Sequence, residues 1–242
     1  RPPHPGLSAM ARSSKRPLWL KLSLAVLILA PLAVGGWLWW DLRTWQPAES
    51  EYPEQGADLS GGAADVNFAV LKGQGADFVY LPATGGEGER SASFTRNLAA
   101  ARAAGLEVGA VHRFDPCVPA DGQAANFVTI VPRDKALLPP AIALIDTGEE
   151  CLEPVTSGQV RSELTILANQ IEAHAGRPAI LKLGREFEKT HGVAARIERN
   201  LWLMRTRFEP DYGGRPWLIW TANETFESGA SDQPVAWAVV RP

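Results

Sequence analysis

Ser93-Phe-Thr-Arg-Asn-Leu-Ala-Ala-Ala-Arg-Ala-Ala-Gly105 followed at once by Leu106-Glu-Val-Gly-Ala-Val-His112 changes period within twenty residues. Up to Ala104 the apolar positions Phe94, Leu98 and Ala101 share one helical face, Gly105 occupies the usual post-helix stop, and Glu107 to His112 reads as a strand. A helix handing over directly to a strand is half of a crossover unit, the device that builds parallel sheet.

The same alternation extends in both directions. Upstream, Gly56-Ala-Asp-Leu-Ser60 is a strand followed by a helical stretch from Val66 to Gly73, and Asp77-Phe-Val-Tyr-Leu81 is the strand feeding the helix from Ser93 to Ala104. Downstream, the turn Asp115-Pro-Cys-Val-Pro119 leads into a helical stretch around Ala124 to Val131, and Pro139 to Asp146 is the fourth strand. Between Gly158 and His174, Val160, Leu164, Leu167 and Ile171 recur at helical spacing, the clearest amphipathic helix in the chain. Ala179-Ile-Leu-Lys-Leu183 is the fifth strand, and Arg185 to Thr190 a short helix. Beyond it Leu201 to Met204, Trp217 to Thr221 and Val235 to Val240 read as three strands joined by loops. Five βα units plus three strands predict an α/β fold, an irregular barrel related to the eight-stranded (β/α) barrel, with its chemistry at the carboxyl ends of the strands.

The first fifty residues obey different rules. From Leu18 to Trp40 the only charge is Lys21, and about twenty apolar residues in a helix span the roughly 30 Å of a bilayer's hydrocarbon layer. Arg12, Lys15 and Arg16 precede the run, whereas Asp41, Glu49, Glu51 and Glu54 outnumber Arg43 after it, which keeps residues 1–17 inside and exports the rest. Trp37, Trp39, Trp40 and Trp45 crowd the outer end as interfacial anchors. A cleaved signal peptide is the competing reading, but it has a shorter apolar core and a small-residue cleavage site. Residues 1–9 look like translated upstream sequence before a start at Met10. The expected organisation is therefore a cytoplasmic tail over 1–17, a single-pass inner- or plasma-membrane anchor over 18–40, a solvated linker over 41–54 and an extracytoplasmic, periplasmic barrel over 55–242.

Composition narrows the function classes. In 242 residues, 45% hydrophobic and 21% charged, there is apolar material for one sizeable core, and a net charge of -3 without basic blocks gives no footprint for nucleic acid. The two cysteines, Cys117 and Cys151, lie in the exported part, where an oxidising compartment allows a bridge; two buried free thiols are the alternative. They build no metal site, having no histidine at ligand spacing, and no cofactor is expected. Gly85-Gly-Glu-Gly-Glu-Arg90 lacks the Lys-Ser/Thr pair of a phosphate cradle and reads as a flexible loop. Ser60 and Ser93 have no partners resembling a nucleophile triad.

Several strand ends resemble the family 25 glycoside hydrolases, lysozymes that cleave peptidoglycan between N-acetylmuramic acid and N-acetylglucosamine. The matching pieces, in order, are Gly56-Ala-Asp-Leu-Ser-Gly61, Gly75 to Gly86, Asn97 to His112, Gln123-Ala-Ala-Asn-Phe127 and Leu138-Pro-Pro-Ala141. The resemblance covers about residues 55–240 and implies the same barrel of five βα units and three trailing strands.

It also implies a substrate, peptidoglycan or a related envelope glycan, and a site that has been altered. In the family the fourth strand carries an Asp-x-Glu pair after the prolines, with the Glu as general acid. Aligning Pro139 and Pro140 puts Ala143 and Ile145 there. Pro82 and Gly85 stand in place of a Lys and a Glu or Gln, Val111 in place of a Tyr, Thr221 in place of a Gln, and Ala236 in place of a final Asp. Asp58 is the acidic residue that remains. Glycoside hydrolysis needs two carboxyl groups about 5 to 10 Å apart, so the domain is expected to be impaired in turnover while still directed at the cell wall.

The candidate catalytic residues are Asp58 and Asp146, the latter reaching inward only if a bulge reverses the alternation that sends it away from Ile145; Glu149 or Glu150 in the next loop is a further alternative. Candidate substrate-binding residues are His112, Asp115, Trp220 and Asn223. Each has a structural counter-reading: Asp58 as a turn cap, His112 as a histidine fixed by a neighbour, Trp220 as barrel core. An active N-acetylmuramidase using Asp58 with a relocated carboxylate, and a scaffold that docks an envelope protein, are the alternatives in function.

Overall fold

The computed structural model describes residues 18–62 and 65–242. They form two compact units, one ending at Leu42 and one running from Arg43 to Pro242. The expected tail over residues 1–17 lies outside the described residues.

Helix α1, Leu18–Thr44, has Pro31 in its interior and belongs to the first unit as far as Leu42. Within it Val26–Thr44 is long and apolar enough to cross a membrane. From Val26 to Trp40 every residue is exposed, including Trp37, Trp39 and Trp40.

The second unit is the barrel. Its elements in order are β1 (Gln55–Asp58), α2 (Phe68–Gly73), β2 (Phe78–Gly85), β3 (Glu89–Arg90), α3 (Phe94–Ala103), β4 (Glu107–Arg113), α4 (Ala120–Ile130), β5 (Ala141–Leu144), α5 (Ser157–Ala175), β6 (Ile180–Leu183), α6 (Arg185–His191), β7 (Asn200–Met204), β8 (Ile219–Phe226) and β9 (Val235–Val240). Strands β1, β2, β4, β5, β6, β7 and β8 are parallel in that succession from β2 onward, β9 is antiparallel to both β8 and β1, and the β1–β2 pairing closes the cylinder. Eight strands thus close the barrel, as five βα units and three trailing strands, with β3 as a short extra hairpin strand on β2.

Alternation along each strand sorts the apolar residues into two sets. Phe78, Tyr80, Val111, Ala141, Ala143, Ile180, Trp202, Ile219 and Ala238 form the cluster inside the barrel, with Tyr80 edge-on to Trp202 at 4.8 Å. The opposite faces, including Val79, Leu81, Ile142, Leu144, Leu181, Leu183 and Leu203, join the helices in a larger outer cluster. The interior is so full that a Cβ at Gly109 would lie 2.2 Å from the Tyr80 ring; only glycine fits there.

The helices form for the reasons visible in their sequences. Phe94, Leu98 and Ala101 of α3 are buried and Gly105 takes φ +79 after it. In α5, Val160, Leu164, Leu167 and Ile171 are buried, Thr156 and Gln159 make a capping box, and Gly176 closes the helix at φ 69.

Residues 48–51, 53 and 54 of the linker are exposed, yet the segment is fastened to the barrel: Pro47 is buried, the Gln55 side chain donates to the carbonyls of Pro47 (3.1 Å) and Tyr52 (2.9 Å), and Tyr52 packs edge-on against Trp220. Two expectations are corrected. Trp45, expected as an interfacial anchor, packs against the barrel's outer cluster. The segment Gly85–Arg90 is a hairpin rather than a flexible loop, pairing Thr84 with Arg90 and Gly85 with Glu89 around Gly86 at φ 45.

Candidate functional site

At the carboxyl ends of the strands a cleft of about 470 Å³ opens, lined among others by Ser60 after β1, Pro82 and Thr84 of β2, Glu89 and Arg90 of β3, Arg113 of β4, Ala143 and Ile145 at the end of β5, and Lys182 of β6. An adjoining hollow of about 410 Å³ shares Arg113 and Ile145 and adds Asp146, Thr147, Glu149 and Glu150.

Lys182 organises the floor. Strand β6 alternates, so Ile180 and Lys182 face the barrel interior while Leu181 and Leu183 face the helices. An ammonium there must be paired. It is ion-paired to the Asp58 carboxylate, donates to the Ser60 hydroxyl at 2.7 Å, and lies 5.3 Å from the centre of the Trp202 ring. The Lys182 side chain is 8% exposed and that of Asp58 1%. The second Asp58 oxygen accepts the Ser60 backbone N–H at 2.9 Å. Asp58 is thus both a turn cap and the counter-ion of a buried lysine, and it lies behind Lys182 as seen from the cleft.

The wall is the β2–β3 hairpin, held by one buried amide. Asn126 of α4 donates from its side-chain nitrogen to the carbonyls of Gly85 (3.3 Å), Gly86 (3.1 Å) and Glu89 (3.0 Å), and its side-chain oxygen accepts from Arg90 Nε at 2.8 Å. Glu89, so placed, forms an ion pair with Arg113. Among the described residues that line the cleft Glu89 is the one carboxylate, and it is paired.

The positions where the family resemblance calls for two carboxylates are apolar in fact as in sequence. Ala143 is 4% exposed and belongs to the interior cluster; Ile145 is 47% exposed at the lip. Ala236, where the resemblance calls for a further Asp, pairs directly with Asp58 across β1 and β9.

The remaining candidates separate. Asp146 is half-buried, lines the adjoining hollow, and uses one oxygen to accept the Gly148 N–H at 2.9 Å. Asp115 likewise accepts the Cys117 N–H at 2.8 Å, and its own backbone is tied at both ends to the Gln123 side chain. Both are short-range turn caps. His112 points outward, because Val111 on the same strand faces in. It is fully buried against Phe127, with Nδ1 2.8 Å from the Thr84 hydroxyl and Nε2 3.2 Å from Gln123. Burial first, and then the charge on Arg113, push its pKa down to about 4.

Trp220 is the second residue of β8, not the last, because that strand continues to Phe226. Its indole donates to the Arg205 carbonyl at 2.8 Å within the outer cluster. Asn223 is buried on the same strand and donates to the Trp45 carbonyl at 3.0 Å. Asp58 thus lies behind the cleft floor, against Lys182, Asp146 lines the adjoining hollow, and His112, Asp115, Trp220 and Asn223 lie outside the lining of both. Lys182 is the site residue that the sequence reading missed; its signal was a lone charge on the inward parity of an otherwise apolar strand.

Cys117 and Cys151 form a disulfide joining the loops that follow β4 and β5. Among the described residues no group of three or more His, Cys, Asp or Glu could hold a metal ion.

Comparison with known proteins gives a consistent set of relatives. The sequence model described as "Glycosyl hydrolases family 25" matches residues 57–226. A family 25 glycosyl hydrolase from Bacillus anthracis superposes with a TM-score of 0.73 at 22% identity, over 81% of this chain and 92% of that one. A bacterial lysozyme from Streptomyces coelicolor gives 0.68 at 22% identity, over 78% and 92%. Among curated proteins, YegX of Escherichia coli, described as uncharacterized, is 25% identical over 160 residues, which is 65% of this chain and 57% of that protein. The chain thus spans little more than half the length of the curated relatives it matches.

Proposed function

The chain belongs to the glycosyl hydrolases of family 25, and we propose that it is a membrane-tethered member that binds envelope peptidoglycan or a closely related glycan through its strand-end cleft with little or no hydrolysis. One observation carries the loss of turnover: Ala143 and Ile145 occupy the carboxylate positions, Asp58 is buried in an ion pair with Lys182, and Glu89, which lines the cleft, pairs with Arg113. Retaining or inverting chemistry needs one carboxyl to give up a proton and a second to attack or to activate water. An alkyl group at 143 or 145 does neither, and Asp58 committed to Lys182 is a counter-ion.

Binding is supported by what the cleft keeps. Lys182 and Arg113 offer several N–H donors, Ser60, Ser91 and Ser93 offer hydroxyls, and Pro82, Val111 and Ile145 offer apolar surface for a sugar face. The tether reading rests on the exposed apolar stretch Val26–Thr44 of α1 and on the charge asymmetry around it. It places the barrel outside the cytoplasm, where the Cys117–Cys151 disulfide persists. The active reading, Asp58 acting with Asp146 or a loop glutamate, would require Asp58 to leave Lys182 and Asp146 to leave its turn.

The test is co-sedimentation of the detergent-solubilised full chain with purified peptidoglycan, beside Ile145→Arg at the exposed cleft lip. Saturable sedimentation of the wild type that the variant loses is the expected result. Equal sedimentation of both, or of neither, would move the function to another surface, such as one that docks an envelope protein.

A further inference from the structure

Arg113 of β4, Ala143 of β5, Lys182 of β6 and Trp202 of β7 are successive partners in one row across the sheet. Residues in register on parallel strands point to the same face, and this row points inward, since Ala143 and Trp202 belong to the interior cluster. Arg113 has the parity of Val111 in that cluster, and the Phe114 N–H on the Ala143 carbonyl at 3.0 Å keeps β4 and β5 in step at this level. Two cations therefore stand two strands apart, roughly 10 Å at the backbone by ordinary strand spacing, with only the Ala143 methyl group between them. All three residues line the cleft.

Both cations keep donors to spare. The Lys182 ammonium has three N–H groups, and its hydrogen-bond acceptors among the described residues are Asp58 and Ser60. The Arg113 guanidinium donates to Glu89 through Nη2 alone, and both members of that pair are more than half exposed, where an ion pair is weak and exchanges readily for another carboxylate.

The surrounding charge favours an anion at this place. Arg90, Arg113 and Lys182 line the cleft against Glu89, and they still outnumber the carboxylates when Asp58 behind Lys182 is counted. Beyond Arg113 the adjoining hollow has the opposite sign, with Asp146, Glu149 and Glu150. A negative group is drawn to the cleft side of Arg113 and repelled from the other.

We propose that the cleft takes a sugar bearing a free carboxylate, seated over Ala143 between Arg113 and Lys182, in the space that a carboxylate side chain at position 143 would fill. This rests on the reading of the cleft as a glycan site and adds the charge of the glycan. The lactyl carboxylate of N-acetylmuramic acid is free where no peptide is attached to it, and a hexuronate carries the same group on its ring. Arg113 and Lys182 recognise what the two have in common.

The test is calorimetric titration of the detergent-solubilised full chain with three oligosaccharides of equal length: peptide-free alternating N-acetylglucosamine and N-acetylmuramic acid, alternating N-acetylglucosamine and glucuronate, and neutral N-acetylglucosamine. An acidic oligosaccharide should bind about ten- to a hundredfold more tightly than the neutral one, the usual worth of hydrogen bonds to a charged group, and the acidic arm that does so identifies the source. Arg113→Gln should remove most of that preference, and Glu89→Gln, which frees the guanidinium, should widen it. Both residues are exposed, so neither substitution should move the melting temperature or the affinity for the neutral oligosaccharide. Equal binding of acidic and neutral oligosaccharides, or a preference that neither substitution moves, would overturn the proposal and leave the glycan reading standing. Binding of none of the three by protein that sediments with intact peptidoglycan would do the same; no binding and no sedimentation would overturn both.

Discussion

Replacing Lys182 with Met tests the floor of the cleft. The lysine side chain is 8% exposed and its Asp58 partner 1%, so removing the ammonium while keeping nearly the same length leaves a carboxylate with one backbone N–H from Ser60 and no counter-charge. Stranding one member of a buried pair costs about 3–5 kcal/mol. In a domain of this size each kcal/mol is worth about 2–4 °C in Tm, so Lys182→Met should melt about 6–20 °C below the wild type. Removing both charges as Asp58→Leu/Lys182→Met eliminates the stranded ion and should return to within about 1–2 kcal/mol of the wild type or exceed it. Thermal and urea unfolding of the wild type, Lys182→Met, Asp58→Leu and the double variant as full chains in detergent, followed by near-ultraviolet dichroism of the buried tryptophans, gives the four corners of the cycle. A single variant within about 1 kcal/mol of the wild type would refute the reasoning, as would a double variant as unstable as the single.

His112 has a folded pKa lowered to about 4 from its ordinary 6.5, so the unfolded chain binds its proton first as pH falls. The stability it confers is complete above about pH 6.5 and is lost on acidification toward pH 4, amounting to about 3 kcal/mol, and His112→Gln should flatten that part of the stability-against-pH curve. The disulfide closes a separation of 34 residues, for which chain entropy gives about 4 kcal/mol, so Cys117→Ala/Cys151→Ala should lose about 2–4 kcal/mol in urea titrations. Ala143→Asp/Ile145→Glu puts carboxyls back at the end of β5; muropeptide release should rise by about 10²-fold or more over the wild-type baseline, the usual worth of a general acid, and no rise would mean the cleft has lost more than its carboxylates.

Much of the fold was legible because it is written in local periods. The switch at Gly105, the stripe of α5 and the apolar runs of the strands specify five βα units and three strands without reference to distant residues. What was not legible is non-local. The fixing of residues 46–54 depends on Tyr52 meeting Trp217 and Trp220, more than 160 residues later, and the hairpin depends on Asn126 reaching back 37 to 41 residues. The candidate site was misread where strand parity was not applied. Val111 and Ile219 face inward, which turns His112 and Trp220 outward; the same rule turns Lys182 inward beside Ile180. Asp58, Asp115 and Asp146 are residues that favour turns by capping the N–H two positions on, and all three do so. An aspartate at a strand end is therefore a weak signal of catalysis unless a second carboxyl faces it.

The central claim is a family 25 barrel that holds glycan without cutting it. The most direct measurement is release of soluble muropeptides from purified peptidoglycan by the wild-type chain beside Asp58→Ala and Asp146→Ala. The account predicts wild-type release at the level of the protein-free control, unchanged in both variants, from a preparation that sediments with the same peptidoglycan. Wild-type turnover that disappears in either variant would contradict it and place catalysis on a carboxylate that has left its ion pair or its turn.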